Sequence, residues 1–297
     1  MSMIGIYKKI QLIYGKLFGG GEWKVAYRRV SDKNAKYKTI EAPEGTWIAD
    51  PLLYEENGEH YLFVELFNKK KDKAGIGYYS FINGEPVFQK QIIEQPYHMS
   101  YPYVFYWNGE HYMIPESAAG NTVDLYKAVR FPDEWILDNN LIHGEKYVDT
   151  TVVHFDGKLY ALGYTKTDNG WKLTYFSLDM QQKRLQKVYE EFFVENKGRP
   201  AGPILQEEMI RPAQDCSRLY GKSIIWYKVD DMNESVFQEH PIRTMTVADL
   251  AIEGKADRVH TYSRDTMFEV VDLRFGKFDF FHGVKTVRRA FVGKKSK

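Results

Sequence analysis

The chain has 297 residues, 43% of them hydrophobic and 15% aromatic, with a net charge of +1. That length and its 22 Tyr and 18 Phe suit one large all-β domain, because aromatic residues favour strands. Charges of both signs alternate along most segments, without the segregated basic face of a nucleic-acid binder, and a single cysteine, Cys216, excludes an internal disulfide framework.

The first segment, residues 1–20, sets Ile4, Ile6, Ile10, Leu12, Ile13, Tyr14 and Leu17 beside Lys8, Lys9 and Lys16. The lysines break up any signal-peptide h-region, and no run of about 18 apolar residues exists to span a membrane. The pattern predicts a short amphipathic helix, lying on a membrane or packed against the protein's own body. With no export signal, the expected location is cytoplasmic, peripheral to the inner face of the membrane.

A repeat then begins. Ala49-Asp-Pro-Leu-Leu-Tyr is followed by Asn57-Gly-Glu-His-Tyr-Leu-Phe, and Ser100-Tyr-Pro-Tyr-Val-Phe by Asn108-Gly-Glu-His-Tyr-Met-Ile. Val148-Asp-Thr-Thr-Val-Val is followed in turn by Asp156-Gly-Lys-Leu-Tyr-Ala-Leu. Asn-Gly and Asp-Gly accept the positive φ of a tight hairpin, so each unit opens on two antiparallel strands. The matching positions Asp50, Tyr101 and Asp149 recur at a period near 50 residues, the size of a propeller blade. Two further strand-like stretches follow each hairpin and complete four strands per unit.

Ala201–Leu205, Met209–Ala213, Ser223–Tyr227 and Ser235–Glu239 read as a fourth blade, and Val259–Ser263 with Phe268–Asp272 begin a fifth. The fifth lacks an outer strand, which Trp23-Lys-Val-Ala-Tyr-Arg could supply to close the ring and remove its exposed edges. The expected fold is therefore an all-β five-bladed propeller over residues 21–285, with a basic tail at 286–297. Two domains or a β-sandwich are the alternatives, but no Pro/Gly/Ser linker supports a split.

The first strand of each propeller blade lines the central channel, so polar residues at those strand starts converge from different blades. Asp50 and Asp149 occupy equivalent places two blades apart. An Asp opening an apolar strand is a poor β-former, and it either caps a turn or lines a pocket. The matched pair favours the pocket. His98, Ser100 and Tyr101 open the second inner strand, while Glu65 and Glu116 end the partner strands of the first two blades. Arg199 and Arg211 each precede Pro-Ala, where proline stiffens the backbone that aims them. They could clamp a phosphate or carboxylate bidentately, or pair internally with Asp50, Asp149 or Asp215. Gln214 follows on the same strand as Arg211. His260 begins the fifth inner strand and can reach the channel axis, although a hydrogen-bonded structural histidine is the simpler reading. No cofactor is expected, with a divalent cation in the central channel left open. Cys216 reads as a small buried hydrophobe rather than a nucleophile.

Longer motifs carry a resemblance. They are Trp47-Ile-Ala-Asp-Pro, His98-Met-Ser-Tyr-Pro-Tyr-Val-Phe, Met113-Ile-Pro-Glu-Ser, Val123-Asp-Leu-Tyr, Phe131-Pro-Asp-Glu-Trp and Asp149-Thr-Thr-Val. Arg199-Pro-Ala-Gly, Arg211-Pro-Ala-Gln-Asp-Cys-Ser and Tyr220-Gly continue the series. Together, over roughly residues 45 to 265, they resemble the N-terminal domain of glucosamine inositolphosphorylceramide transferases and its free-standing bacterial relatives. That domain is similar to the five-bladed propellers of the arabinanase, β-xylosidase, invertase and levansucrase superfamily. The resemblance implies a base or nucleophile at Asp50 and a charge-setting carboxylate at Asp149. It also implies a general acid near the start of the fourth blade, where this chain has Arg199 instead; Asp215 or Glu116 would then supply the proton.

The plant proteins' recognised transferase domain is a separate C-terminal one, so the resemblance does not carry sugar transfer onto this chain. The expectation is a carbohydrate-active enzyme, a glycosidase or glycosyl transferase, acting on a polysaccharide or sugar-phosphate precursor in surface polysaccharide biosynthesis. His98, Ser100, Tyr101, Glu65, Arg199, Arg211, Gln214 and His260 would bind substrate. The alternative is a non-catalytic glycan-binding propeller that positions substrate for a partner glycosyltransferase. Peripheral membrane contact would run through the N-terminal segment, and no nucleic-acid partner is expected.

Overall fold

A computed structural model describes residues 19–278, so the N-terminal helix and basic tail expected from the sequence lie outside the described residues. The described chain forms five four-stranded antiparallel sheets arranged as the blades of one propeller. Strands β1 (Gly19–Arg29) and β2 (Lys38–Thr39) come first in the chain. Blade 1 then holds β3 (Thr46–Glu56), β4 (Glu59–Asn68), β5 (Lys73–Ile82) and β6 (Glu85–Ile93). Blade 2 holds β7 (Ser100–Trp107), β8 (Glu110–Glu116), β9 (Thr122–Arg130) and β10 (Glu134–His143). Blade 3 holds β11 (Val148–Phe155), β12 (Lys158–Thr167), β13 (Gly170–Asp179) and β14 (Arg184–Phe193).

Blade 4 follows with β15 (Arg199–Pro200), β16 (Ile210–Asp215), β17 (Ser223–Met232) and β18 (Phe237–Met245), and β19 (Ala256–Arg264) and β20 (Phe268–Phe278) begin blade 5. Ring closure is as the sequence suggested, with one difference. The Trp23 strand, β1, pairs with β20 along its whole length and so is third in blade 5; β2 is outermost.

Local chemistry explains the hairpins. Asn57, Asn108 and Asp156 have φ of 53°, 50° and 48°, each followed by a positive-φ glycine, as tight β-turns between right-twisted strands require. Inner strands carry runs of consecutive buried residues, Ile48 to Leu52 in β3, whereas β6, at a blade's rim, alternates exposed and half-buried residues. Apolar faces meet between blades. Ile48, Leu62 and Phe268 fill the space between blades 5 and 1, and Phe63, Met99 and Met113 that between blades 1 and 2. Phe105 with Ala161, Tyr164 with Phe237, and Trp226 with Leu273 lie in the other three interfaces.

One irregularity recurs on the inner strands. Pairing slips between Ala49 and Leu52, Ser100 and Tyr103, Val148 and Thr151, and Val259 and Tyr262. In the first three blades the slipped residue, Asp50, Tyr101 or Asp149, has φ of 47°, 45° or 50°. Such a bulge bends the strand and re-aims one side chain. In blade 4 the corresponding step is Ala201-Gly202-Pro203, with φ of 134° at Gly202; a Cβ there would lie 1.8 Å from the Tyr262 carbonyl oxygen, so only glycine fits.

Candidate active site

The bulges aim Asp50 and Asp149 into the same end of the channel, and both are buried there, 2% and 0% exposed. Asp149 is held by three donors. Arg199 grips both of its oxygens, Nη2 reaching Oδ1 at 2.9 Å with Nε on Oδ2, and Gln214 Nε2 donates to Oδ2 at 2.8 Å. The same Arg199 Nη2 donates to Glu116 Oε2 at 3.0 Å. One guanidinium therefore ties a carboxylate from blade 3 to a carboxyl from blade 2, a bidentate geometry that lysine could not reproduce. Burial pushes the Glu116 carboxyl well above the usual carboxylate range, despite the opposing pull of Arg199, and the charges of Asp149 and Asp50 add to the rise.

Asp50 belongs to a second group. Its Oδ1 accepts from Thr261 Oγ1 at 2.9 Å and lies 3.5 Å from His260 Nε2. Asp272, on β20, completes the arrangement by accepting from the backbone N–H groups of Asp50, His260 and Thr261. His260 Nδ1 lies 2.6 Å from Asp272 Oδ2, in ion-pair range but off the line of a hydrogen bond. Burial raises the Asp50 pKa to about 7; His260 opposes that rise, while Asp149, Glu65 and Asp272 reinforce it. Burial alone would depress His260, but the charges of Asp272 and Asp50 prevail and lift it to about 8. Asp50, His260 and Asp272 present ligand atoms within 4.8 Å of one another, the donor set for a divalent cation in the channel.

The other expected residues fall at different depths. Ser100, paired with Glu116, is buried beside the cluster. Tyr101 forms its floor: its hydroxyl meets Thr151 Oγ1 at 2.7 Å and accepts from the Gly202 N–H at 2.9 Å, bridging blades 2, 3 and 4. Glu65 lies 3.2 Å from the partly exposed His98, whose pKa burial would lower but the hydrogen bond and charge of Glu65 raise.

Two residues sit apart. Arg211 points away, forming a fully buried bidentate pair with Glu239 on β18 and donating to the Gly198 carbonyl at 3.1 Å. Asp215 binds Ser217 and Lys222 at the end of β16; burial would raise its pKa, but those partners hold it low, so it stays ionised and is poorly suited to give a proton.

Sequence reasoning missed four neighbours. Asp272 carried the same signal as Asp50, a carboxylate inside the apolar run Val270–Leu273. Thr261 sits beside the singled-out His260. Trp23 was placed on a strand but not at the site; its ring stacks on His260 at 4.0 Å. Tyr220 lies with its ring 5.4 Å from the Arg199 guanidinium and edge-on to Trp23 and His260. Gly221 permits this approach, since a Cβ on it would come within 2.8 Å of Trp23 and 2.9 Å of His260.

A cavity of about 720 Å³ opens at the opposite end of the channel, between the C-terminal halves of β3 and β19 and the segment 203–208. Its arginine, Arg264, is engaged by Glu208. It is lined by Glu55, Glu207 and Asp265 but by none of Asp50, Glu116 and Asp149.

With that geometry in place, residues 21–278 match the model of the glucosamine inositolphosphorylceramide transferase 1, N-terminal family. The chain belongs to this family. It is 29% identical over 248 residues to glucosamine inositolphosphorylceramide transferase 1 of Arabidopsis thaliana, covering 78% of this chain but 31% of that protein. The chain thus spans less than a third of the length of the curated plant relatives it matches.

Among solved structures it is similar to a thermostable family-43 glycoside hydrolase, with a TM-score of 0.54 at 10% identity over 80% of this chain and 93% of that one. It is also similar to a β-1,2-mannobiose phosphorylase from Listeria innocua, with a TM-score of 0.52 at 12% identity over 88% and 99% of the two chains. At such identities the likeness is one of fold.

Proposed function

We propose that this propeller is a carbohydrate-active enzyme whose chemistry runs between Asp50 and Glu116. The observation that carries the reading is the buried pair of environments. Burial raises the Glu116 carboxyl well above the usual range, while the neighbouring Asp149 is clamped by Arg199 and Gln214. Glycosyl chemistry needs one carboxyl that gives a proton and another that accepts one.

In this reading Glu116 protonates the leaving oxygen. Asp50, once ionised, takes the proton of the water or acceptor hydroxyl that attacks the anomeric carbon, or attacks that carbon itself. Asp149 sets the charge, His260 and Thr261 orient Asp50, and the half-exposed ring of Tyr220 is a platform for the apolar face of a sugar. Arg199 is already matched by two carboxyls, which favours a neutral sugar at this point over a phosphate. The larger setting, assembly of a surface polysaccharide or its precursor, is supported by the glycosyl transferase relatives and by the fold of the neighbouring glycosidases.

A second reading keeps one specific observation in its favour: Asp149 and Arg199 saturate each other, as in a propeller that binds a glycan for a partner transferase without turning it over. Asp50→Asn and Glu116→Gln separate the two. The enzyme reading expects turnover to fall at least about a hundredfold with glycan affinity, measured calorimetrically, within a few-fold. Glycan binding with no turnover on a broad oligosaccharide and sugar-nucleotide panel would establish the silent propeller instead.

A further inference from the structure

A second group of convergent side chains lies at the far mouth of the channel, where blade 1 meets blade 5. The Asn57-Gly58 turn sets Glu55 directly opposite His60 on the β3–β4 ladder, so their side chains leave the same face. The turn between β19 and β20 brings Asp265 to them from blade 5. Its Oδ1 accepts the Met267 and Phe268 N–H groups, which leaves Oδ2 facing His60 Nδ1 at 2.8 Å. Glu55 Oε2 lies 4.0 Å from the same nitrogen and is steadied by the Thr266 N–H and hydroxyl. His60 is itself buried, with its ring held edge-on to Phe268.

Blade 2 shows what the repeat alone requires. Asn108-Gly-Glu-His111 copies the Asn57-Gly-Glu-His60 hairpin, and His111 likewise reaches a carboxylate of the preceding blade, Glu56 at 2.8 Å. There the contact is a single pair, with the His111 ring stacked on Phe131 at 4.0 Å. Blade packing therefore needs one carboxylate per histidine, and the second one at His60 is surplus to it. Among the described residues, three such donors converge only here and at Asp50, His260 and Asp272.

We propose that Glu55, His60 and Asp265 hold a first-row divalent cation of the zinc or manganese class, clamping blade 1 to blade 5 where the ring closes. Donors around a tetrahedral zinc ion lie about 3.4 Å apart, given bonds of about 2.0–2.1 Å. The separations of 2.8 Å and 4.0 Å at His60 Nδ1 fall on either side of that value, so small shifts admit the ion in place of the proton shared with Asp265. Two carboxylates balance its charge, and the hydrogen bonds that Asp265 and Glu55 accept orient them as ligands. An imidazole nitrogen among the donors favours such a metal over calcium, which takes oxygen ligands. Glu55 and Asp265 also line the cavity of about 720 Å³, which leaves room for water on the remaining positions. The site is independent of the sugar chemistry proposed above.

The test is calorimetric titration of the untagged, chelator-treated full chain with zinc, manganese and calcium chlorides, followed by thermal melts. Zinc or manganese should bind, and a hundredfold excess over Kd should raise the melting temperature by about 5–10 °C. Loss of a ligand should weaken binding at least about a hundredfold in His60→Ala, since losing even an outer-shell partner costs roughly 10–100-fold. Asp265→Asn should lose affinity too, while its amide oxygen still accepts the Met267 and Phe268 N–H groups. His111→Ala, at the matching hairpin position, and His260→Ala, in the other three-donor group, should each keep the ion bound at His60. Circular dichroism confirms that each variant is folded. No binding at millimolar ion, a preference for calcium, unchanged affinity in both His60→Ala and Asp265→Asn, or loss of the ion in His260→Ala or His111→Ala instead would each overturn the proposal.

Discussion

Arg199→Met puts a number on the electrostatics of the cluster. The substitution keeps much of the side chain's apolar volume but removes the guanidinium from Asp149, which is fully buried, and from Glu116. Removing one partner of a buried ion pair leaves the other charge without compensation and typically costs about 3–5 kcal/mol. For a domain of this size each kcal/mol shifts the melting temperature by about 2–4 °C, so the variant should melt about 10 °C below the parent.

The loss must also depend on pH in one direction. Without Arg199 the opposing pull on Glu116 is gone, and its folded-state pKa rises further above its unfolded value. A group raised in this way loses stability as pH climbs from the ordinary carboxylate range to the raised pKa. Calorimetric melts should therefore show a small deficit near pH 5 and the full deficit near pH 8. Asp149→Asn in the same background should restore most of it, while Arg199→Lys, which keeps the charge but not the fork, should fall between. A deficit that is constant across that pH range, or one below about 1 kcal/mol, would refute the charge argument and leave packing as the cause.

Three further outcomes follow from particular contacts. Arg211→Met should cost a similar roughly 3–5 kcal/mol, read by urea denaturation, with glycan affinity unchanged in the folded fraction, because its partner Glu239 lies outside the cluster; lost affinity with intact stability would contradict this. Gly202→Ala should destabilise by roughly 2–4 kcal/mol, since its Cβ would sit 1.8 Å from a carbonyl oxygen, and a loss below about 1 kcal/mol would mean the backbone there yields freely. If Asp50 is the base, the turnover rate should rise as pH increases through about 7, where it ionises, and fall at higher pH as Glu116 gives up its proton. An acid limb near pH 4 would remove Asp50 from that role.

Much of the architecture was legible because it repeats. The Asn-Gly and Asp-Gly turns need positive φ, so they mark hairpins whatever surrounds them, and their spacing carries the blade period. Asp50 and Asp149 stood out because an Asp at an inner-strand start has no packing reason to be there. Asp272 gave the same local signal but fell on a second strand, where no matching position in another blade drew attention to it. Arg211 and Arg199 share the tripeptide Arg-Pro-Ala, yet one enters the channel and the other a buried pair with Glu239. Strand alternation fixes that difference, and β15 is only two residues long, too short to show its register in sequence. Trp23 reaches His260 only because β1 joins the last blade, a contact between residues 237 positions apart that no local pattern encodes.

Ring closure and site assembly are consequently one event. Asp272 lies on β20, opposite Val25 of β1, in the ladder that closes the propeller. The same carboxylate accepts the backbone N–H groups of His260 and Thr261 in blade 5 and of Asp50 in blade 1. Asp50 needs that support, because a non-glycine residue in the left-handed region costs roughly 1–2 kcal/mol and persists only where its surroundings fix it. Tyr101 does the corresponding work on the other side of the channel, its hydroxyl joining Thr151 to the Gly202 N–H. A blade folded alone would have every hairpin described above but neither the contact of Asp272 with Asp50 nor the Arg199 bridge between Asp149 and Glu116. Asp50 and Glu116 acquire their raised pKa values only when the closed ring excludes water around them. The chemistry therefore belongs to the closed ring, and a lesion in β1, far in sequence from β19 and β20, should reach Asp50 through Asp272 and through the stack of Trp23 on His260.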